Sequence, residues 1–319
     1  MAKPDSGTSA AYRALIESQE PHTTVFGATA HHAQLAQAAG FKAFGVSGSN
    51  LSTHMLGMPD AGLTTMTELV DCVRNICRAV TIPVLVDIDT GFGNAINTRR
   101  TVEEVIRAGA AGAFLEDQVA PKRCGWVKGK ELVDLEEAEG KYRAACDVRD
   151  ELDPDFILMA RTDARGAVGG GFDEVVRRGH AYLNAGADVL YVEALQNREE
   201  IRRFREIFPS CPLTVSIRPL LSEAEMAEFR ICTAWLHIAK FGAVAMYDFL
   251  KKYQREGRQV WEDFQVETQN HPLGGFGLFE LTGFPALTEL EKKYLPARRF
   301  EKYEESIGMY DPRANAKGT

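Results

Sequence analysis

The sequence lacks any run of about 18 apolar residues, which is the length that a membrane-spanning helix needs. Its opening stretch, MAKPDSGTSA, also lacks the apolar core of a secretory signal. The six cysteines show no paired spacing of the kind that zinc ligands have, so reduced thiols are the simpler interpretation. We therefore expect a cytoplasmic protein without a membrane partner.

An excess of basic residues is also absent. Lys and Arg number 37 against 45 Asp and Glu, which gives a formal net charge of −8. Nucleic-acid binding needs clustered Lys and Arg to neutralise phosphates, so no nucleic-acid partner is expected. The glycines at 169–171 are not followed by the Lys and Ser or Thr of a P-loop. An anionic substrate must therefore be attracted locally, by a metal ion or a few placed cations.

Short apolar or β-branched segments alternate with longer amphipathic ones, which indicates repeated strand–helix units and a parallel sheet. Eight strands are predicted, at Thr24–Ala28, Ala43–Ser47, Pro83–Asp87, Gly112–Glu116, Phe156–Ala160, Val189–Val192, Leu213–Ile217 and Ile231–Leu236. This number favours an α/β fold of the (β/α)8 TIM-barrel type over an open sheet, although periodicity alone does not decide closure. We expect a catalytic barrel domain over residues 1–255 and a C-terminal extension, a loop followed by an apolar-faced helix, over 256–319.

Two of the predicted connections are too long to be simple turns. The second strand is followed by SGSNLSTHMLGMPDAGL and the fourth by DQVAPKRCGWVKGKELVD, and both are read as long loops. Because long loops at the carboxyl ends of barrel strands usually carry the active site, we expect the functional residues there.

Acidic residues end two neighbouring strands. In VDIDTGFGN, Asp87 and Asp89 are two residues apart, so alternation along a strand would aim both at one space, and Glu116 ends the next strand in FLEDQ. Carboxylate oxygens gathered at one rim suit Mg²⁺, which prefers octahedral oxygen coordination; Mn²⁺ is the alternative ion. The competing interpretation is that these acids cap helices or pair with Arg.

The segment PKRCGW lies in the long loop after Glu116. Cations on either side of Cys124 would lower the pKa of its thiol if they stay near it, and such a thiol could exchange a proton with a carbanion. The alternative is an ordinary loop cysteine beside surface charges. Nearby glycines are consistent with a mobile lid that shields a reactive enolate from water.

Three further segments carry polar residues at strand ends. Arg161, in MARTDA, could hold a carboxylate through two parallel hydrogen bonds or could form an internal salt bridge with Asp163. Backbone N–H groups and hydroxyls at 47–49 could bind a carboxylate, although a simple turn explains them equally well. Glu193, in YVEA, is either a supporting partner in the site or a helix cap.

Taken in order, SGSNLSTHMLGMPD, VDIDTGFGN, AGAAGAFLEDQVAPKRCG, MARTDA and YVEA make the chain resemble the isocitrate lyase and phosphoenolpyruvate mutase superfamily. The likeness extends from about Thr24 to the helix near Tyr247, and it is greatest to the methylisocitrate and dimethylmalate lyases. The resemblance implies a (β/α)8 barrel and a homotetramer whose terminal helices exchange between neighbours.

The resemblance also assigns roles to individual residues. Mg²⁺ is held by Asp87 and Asp89, partly through water, with Asp60 and Glu116 in support. Cys124 is the acid that protonates the enolate, and Arg161 and Glu116 complete the catalytic set. The residues expected to contact a small carboxylic acid substrate are Ser47, Gly48, Ser49, Lys122, Arg123, Gly125, Trp126, Arg161, Glu193, Ser216 and Arg218.

The chain departs from the lyase pattern at two places. Trp126 stands where the lyase motif has His, and the seventh strand offers Ser216 and Arg218 in TVSIRPL where Asn and then Ser or Thr are usual. These changes put isocitrate and methylisocitrate in doubt. We expect an altered second half of the substrate, bulkier or less polar, with Trp126 in its wall.

Together these features predict a Mg²⁺-dependent oxo-acid-lyase. It would cleave a small 2-hydroxy carboxylic acid, such as a 2-alkylmalate or a methylisocitrate-like acid, into a 2-oxo acid and a second carboxylic acid. One alternative is an oxaloacetate-type hydrolase or decarboxylase, or a relative acting on phosphonopyruvate or phosphoenolpyruvate. Cys124 argues against the phosphonate branch, because those relatives carry an Asn-containing loop without it. The other alternative is a catalytically idle binding paralogue.

Overall fold

The computed structural model describes residues 6–18, 20–217 and 220–313. Within them, eight strands form one sheet in the order β7-β6-β5-β4-β3-β2-β1-β8, and the paired neighbours run parallel. The strands are β1 His22–Gly27, β2 Phe44–Val46, β3 Val84–Asp87, β4 Gly112–Glu116, β5 Ile157–Thr162, β6 Val189–Leu195, β7 Leu213–Ile217 and β8 Thr233–His237.

The two outer strands of this order approach each other, so the sheet nearly closes. The backbone N–H of Cys232 donates to the carbonyl of Leu213 at 3.0 Å, and the Thr214 hydroxyl donates to the carbonyl of Thr233 at 3.0 Å. The predicted (β/α)8 barrel is therefore confirmed.

The strand sequences are apolar because both faces of the sheet are covered. Every residue of β3, β4 and β5 is buried, which is usual where helices pack outside a parallel sheet and side chains fill the inside. An aromatic group inside the barrel includes Phe26, Phe114, Tyr191 and Trp235, with the rings of Tyr191 and Trp235 4.3 Å apart. The interior of the barrel is thus a packed core. A site can lie above it, at the carboxyl ends of the strands.

Helices connect the strands and continue after the last one. They are α1 Ser6–Glu17, α2 Ala30–Ala38, α3 Gly48–Met55, α4 Met66–Ala79, α5 Ala95–Ala108, α6 Leu135–Leu152, α7 Phe172–Asn184, α8 Arg198–Ile207, α9 Glu223–Glu228, α10 Ile238–Glu256, α11 Gln259–Glu267, α12 Gly277–Leu281, α13 Phe284–Tyr294 and α14 Glu301–Glu305, with a 3-10 turn at Ala297–Phe300. Helix α4 shows why such segments begin where they do. Thr65 and Glu68 satisfy each other's backbone N–H groups in a capping box.

Two predicted loops contain helices instead. The sequence predicts a long loop after β2, but the first part of this segment is α3. It also predicts that the tail from Gly257 starts with a loop, but α11 begins at Gln259. Both helices are short, so their periodicity is weak in the sequence. The apolar-faced helix expected in the tail is α13.

The chain separates into two compact units between Phe241 and Gly242, a division that lies within α10. The predicted boundary after residue 255 lies one residue before the end of α10 and stays a prediction. Among the residues described, no helix combines the length and apolarity that crossing a bilayer requires.

Candidate active site

Strands β3, β4 and β5 bring their acidic and basic residues to one rim of the barrel. Asp87 is paired with Phe114 in the sheet register, and Glu116 is paired with Arg161. Because parallel strands end at the same edge, the polar groups that follow them share one mouth. The carboxyl ends of barrel strands are where active sites of this fold lie.

Asp87 and Asp89 face the same place, but not for the reason that strand alternation suggested. Strand β3 ends at Asp87, and Asp89 follows in a turn with φ +48°. Its N–H donates to Asp87 Oδ1 at 3.1 Å, while the N–H of Gly48 donates to Asp87 Oδ2 at 3.0 Å. A Cβ on Gly48 would lie 2.8 Å from Asp89 Oδ1 and 3.1 Å from Asp87 Oδ2, so glycine leaves the space beside both carboxylates free.

Lys122 reaches from the loop after β4 into this acidic group. Its side chain is 3% exposed, and its Nζ lies 2.5 Å from Asp60 Oδ1 and 2.9 Å from Asp89 Oδ1. Burial by itself lowers the pKa of Lys122, but Glu116, Asp89 and the neighbouring acids outweigh it and raise that pKa. The structure thus places Lys122, expected among the substrate contacts, between two of the expected metal ligands.

The negative charge of this group is incompletely balanced. Burial raises the pKa of Asp89 to about 6, although Lys122 opposes the change, and burial raises the pKa of Glu116 well above its usual value. Glu116 Oε2 lies 3.0 Å from Arg161 Nη1, whereas Glu116 Oε1 is buried with no hydrogen-bonding partner among the described residues. An orphaned buried carboxylate oxygen is costly, and a cation or proton would relieve it.

These residues fit a divalent ion in chemistry and charge. Asp60, Asp87, Asp89 and Glu116 supply only oxygen donors, which suits Mg²⁺. Across the described parts of the chain, however, no three His, Cys, Asp or Glu side chains converge as a ready-made metal cage. Asp60 and Asp89 pair with Lys122 instead, and an ion bound beside them would keep water in much of its shell.

Arg161 is held by two acids at the mouth. Its Nε lies 2.9 Å from Asp163 Oδ2 and its Nη1 3.0 Å from Glu116 Oε2, and the guanidinium lies 5.3 Å from the centre of the Tyr191 ring. The alternative prediction, an internal salt bridge between Arg161 and Asp163, is therefore confirmed. It also fixes the guanidinium in one orientation, which a carboxylate-binding group needs.

Cys124 is partly buried in the loop after β4, and its N–H donates to the carbonyl of Asp60 at 3.2 Å. The expected lowering of its pKa was wrong. Burial raises the pKa of the Cys124 thiol, and Asp60 raises it further, while the Trp126 backbone and Lys122 only partly oppose them. Lys122 is engaged with carboxylates, so its charge is not free to stabilise a thiolate. The thiol keeps its proton near neutral pH.

Gly125 places the tip of this loop directly on the residues of β5 and β6. A Cβ at this position would lie 2.7 Å from Arg161 Nη2 and 2.8 Å from Glu193 Cδ. Glu193 in turn accepts a hydrogen bond from the Tyr191 hydroxyl at 2.5 Å. The loop that carries Cys124 therefore lies over Arg161, as a lid over this end of the barrel would.

The remaining predicted contacts are placed less tightly. The hydroxyls of Ser47 and Ser49 lie 2.9 Å apart where α3 begins, and Ser216 is partly buried near the end of β7. The Arg123 backbone exchanges two hydrogen bonds with the Gln118 side chain, while Trp126 is 65% exposed. Arg218 lies outside the described residues.

Two residues at the mouth were missed by the sequence analysis. Lys130 is buried beside Asp163, and His237 ends β8 with its ring stacked on that of Phe26 at 5.3 Å. The only available signal for His237 is its place at the end of the eighth strand, and the predicted strand ends one residue earlier, at Leu236. For Lys130 there was none, because lysine in a loop is usually solvated.

Comparison with known proteins gives a consistent result. The family model described as phosphoenolpyruvate phosphomutase matches residues 24–251. A 2,3-dimethylmalate lyase of Eubacterium barkeri is 41% identical over 303 residues, which cover 91% of this chain and 99% of that protein. A 2-methylisocitrate lyase of Escherichia coli (strain K12) is 38% identical over 268 residues, covering 82% of this chain and 89% of that protein.

The fold comparison agrees. A phosphonopyruvate hydrolase solved in complex with oxalate and Mg²⁺ superposes with a TM-score of 0.76 at 30% identity, covering 91% of this chain and 99% of that one. Homologues of this chain thus include named lyases, and one structural neighbour contains the divalent ion that the acidic mouth suits.

Proposed function

The chain belongs to the phosphoenolpyruvate mutase and isocitrate lyase superfamily, and on that premise we propose that it is a Mg²⁺-dependent carbon–carbon lyase. Its substrate is a small 2-hydroxy carboxylic acid of the 2-alkylmalate or methylisocitrate type. The observation that carries this function is the buried acidic group at the mouth, left short of positive charge, directly beside the Arg161 guanidinium.

Asp87 and Asp89 would hold the ion, with Asp60 and Glu116 in support and part of the shell filled by water. Mg²⁺, or Mn²⁺ in its place, supplies Lewis-acid stabilisation of negative charge on the substrate oxygens when it is bound. Lys122 limits the net charge of this group and keeps Asp60 and Asp89 in place while an anionic substrate enters.

Arg161 would bind the carboxylate of the part that becomes the 2-oxo acid. The Asp163 pair orients its guanidinium, and the Ser47 hydroxyl would add a donor on the neighbouring side, while the Gly48 N–H holds Asp87 in place. Transfer of the 2-hydroxyl proton to one of the carboxylates at the mouth would turn the hydroxyl into the carbonyl of the 2-oxo acid as the adjacent carbon–carbon bond breaks. The electron pair of that bond passes to the second acid as an enolate.

Cys124 would protonate that enolate carbon. A thiol that retains its proton near neutral pH is the form that a donor requires, and the loop covers the site so that water is excluded. Trp126, Ser216 and Arg218 would contact the second half of the substrate, where this chain departs from the lyase pattern. A branched or less polar second half is therefore expected.

The test is keto-acid release from a panel of 2-hydroxy diacids, including 2,3-dimethylmalate and 2-methylisocitrate, with Mg²⁺ and with EDTA. We expect cleavage of at least one 2-alkyl-substituted diacid, abolished by the chelator. Proton exchange of the pyruvate methyl group with solvent separates the alternatives. Exchange without any cleavage favours the hydrolase or decarboxylase branch, and the absence of both indicates the idle paralogue.

We also propose that the enzyme works in the cytoplasm as a homotetramer. Support comes from apolar side chains exposed on α10, namely Val244, Met246, Tyr247 and Leu250. Exposed apolar surface of this extent usually marks a protein interface.

A further inference from the structure

Lys130 is a buried lysine in the loop between β4 and α6. Its side chain is 2% exposed. Lysine is rarely buried unless its ammonium group is paired, so the position of this charge calls for a structural reason.

The base of the loop is fixed on both sides of Lys130. Gln118 and Leu132 form an antiparallel bridge, and the N–H of Val119 donates to the carbonyl of Glu131 at 2.9 Å. The carbonyl of Lys130 itself accepts from the N–H of Val168 at 2.9 Å. The Lys130 backbone is therefore anchored, while the tip of the loop around Cys124 is five to six residues away from it in sequence.

The side chain of Lys130 connects this base to the tip. Its Nζ donates to the carbonyl of Gly125 at 2.5 Å and lies 3.0 Å from Asp163 Oδ1. Asp163 is also the carboxylate that holds the Arg161 guanidinium, at 2.9 Å and 3.2 Å. One ammonium group thus ties the loop tip to the acid that orients Arg161.

The connection matters because of where Gly125 lies. It packs so closely on Arg161 and Glu193 that a Cβ there would lie 2.7 Å and 2.8 Å from them. Moving the Gly125 carbonyl would carry the adjacent Cys124 away from the mouth. It would also leave a charged ammonium group short of a buried partner, so the closed arrangement is favoured.

We propose that Lys130 is a positioning residue that holds the Cys124 loop closed over the Arg161–Asp163 pair. This role rests on the proposed function of Cys124 and Arg161, and it concerns the same site. Lys130 touches neither the substrate nor the reacting atoms; it acts through Gly125 and Asp163.

The test compares Lys130→Met with Lys128→Met in the full-length protein. Lys128 is an exposed lysine of the same loop, so its variant removes a charge without removing the connection. The rate of Cys124 alkylation by iodoacetamide is followed by peptide mass spectrometry, which separates Cys124 from the other five cysteines. We expect Lys130→Met to raise that rate at least about tenfold, because a hydrogen bond to a charged group is lost, and Lys128→Met to leave it unchanged.

Kinetics on a cleaved substrate provide the second measurement. Because Glu116 and Asp163 still hold Arg161, Lys130→Met should lower kcat about tenfold or more while KM changes less. Lys130→Arg, which keeps the charge and the donors, should restore much of the slow labelling of Cys124 and much of kcat. If Cys124 labels faster but kcat is unchanged, the loop connection is correct and the proposed role of Cys124 is wrong.

An unchanged labelling rate in folded Lys130→Met, judged by circular dichroism, overturns the proposed role of Lys130. If that variant does not fold, Lys130→Gln replaces it. The Gln side chain is polar, but it has no charge and is too short to reach both Gly125 and Asp163. If the proposed role is correct, Cys124 must therefore be alkylated faster in Lys130→Gln than in the wild type.

Discussion

Asp89 and Glu116 are buried carboxyl groups with too little positive charge near them, and this imbalance is the main chemical property of the site. Burial raises the pKa of each one, while Lys122 and Arg161 oppose the change only in part. Groups with such perturbed pKa values in one cleft are typical of functional sites. Substitution of single residues at the mouth should therefore separate metal binding from proton transfer.

Cys124→Ser should lower kcat by roughly a hundredfold or more, because a positioned proton donor usually contributes that much. Mg²⁺ affinity should survive, since no carboxylate is altered. Steady-state rates and calorimetric titration of Mg²⁺ measure the two effects. Cys77→Ser, at another partly buried cysteine on α4, is the control and should leave kcat unchanged. A wild-type kcat in Cys124→Ser would remove this thiol from the reaction.

Asp87→Ala should weaken Mg²⁺ binding at least about tenfold, because it removes one of the oxygen donors beside Gly48. Isothermal calorimetry with Mg²⁺ alone checks this without needing the substrate. Asp71→Ala is the matched control, because Asp71 is an exposed aspartate on α4 that pairs with Arg74 in the same helix. Equal affinities in the two variants would show that Asp87 is not a ligand.

At the scale of the elements, β1 begins at a partly buried histidine. Both ring nitrogens of His22 are enclosed without a hydrogen-bonding partner in the described part of the chain, and its ring meets that of Tyr12 edge-on at 6.3 Å. Burial lowers the pKa of His22 to about 4, and Lys42 lowers it further. The folded barrel therefore favours the neutral imidazole at this end.

Stability should depend on pH through this group. The pKa of His22 is lower in the folded than in the unfolded chain. Protonation of His22 therefore has no effect on the free energy of unfolding above pH 6.5. As pH falls from 6.5 to about 4 the unfolded chain takes up the proton first, and the free energy of unfolding drops by between about 1 and 3 kcal/mol. Urea unfolding at pH 7, 6 and 5 should show this drop in the wild type.

His22→Gln should remove that part of the pH dependence. As the pH falls across this window, the free energy of unfolding of the wild type should therefore decrease relative to that of the variant. His271→Gln, at an exposed histidine, should give a curve parallel to the wild type. If the curve of unfolding free energy against pH for His22→Gln is also parallel to that of the wild type, His22 is not held as a neutral imidazole in the folded barrel.

At the scale of the whole molecule, helices α10 and α13 both expose apolar side chains. On α13 these are Phe284, Leu287, Leu290 and Tyr294, which recur at helical spacing. A stripe of this kind is what a helix buried against another protein surface presents. It is consistent with the tetramer expected from the family resemblance.

We expect size-exclusion chromatography with light scattering to give a mass of four times that of the chain. The double variant Leu287→Glu with Leu290→Glu should shift it to smaller species, because charges on the stripe would be buried without partners. Glu289→Gln, on the same helix, should leave the mass unchanged. A monomeric wild type at micromolar concentration would exclude the tetramer.

The sequence by itself determined the eight strand–helix units and the end of the strands that carries the candidate site, whereas closure of the sheet into a barrel was seen only in the structure. Strand order and burial follow from apolar segments that alternate with amphipathic ones, and the ends of parallel strands must meet at one rim. Hence Asp87, Glu116 and Arg161 could be placed together from their positions at strand ends. The short helices α3 and α11 could not be identified, because one or two turns give little periodicity.

Only the tertiary structure decided how the irregular loops fill the mouth. The path of the loop after β4 brings Lys122 between Asp60 and Asp89, Gly125 onto Arg161, and Lys130 onto Asp163. None of these contacts follows a repeat, so no spacing in the sequence encodes them. The direction of the Cys124 pKa shift was reversed for the same reason, because burial and the partners of nearby cations exist only once the chain is folded.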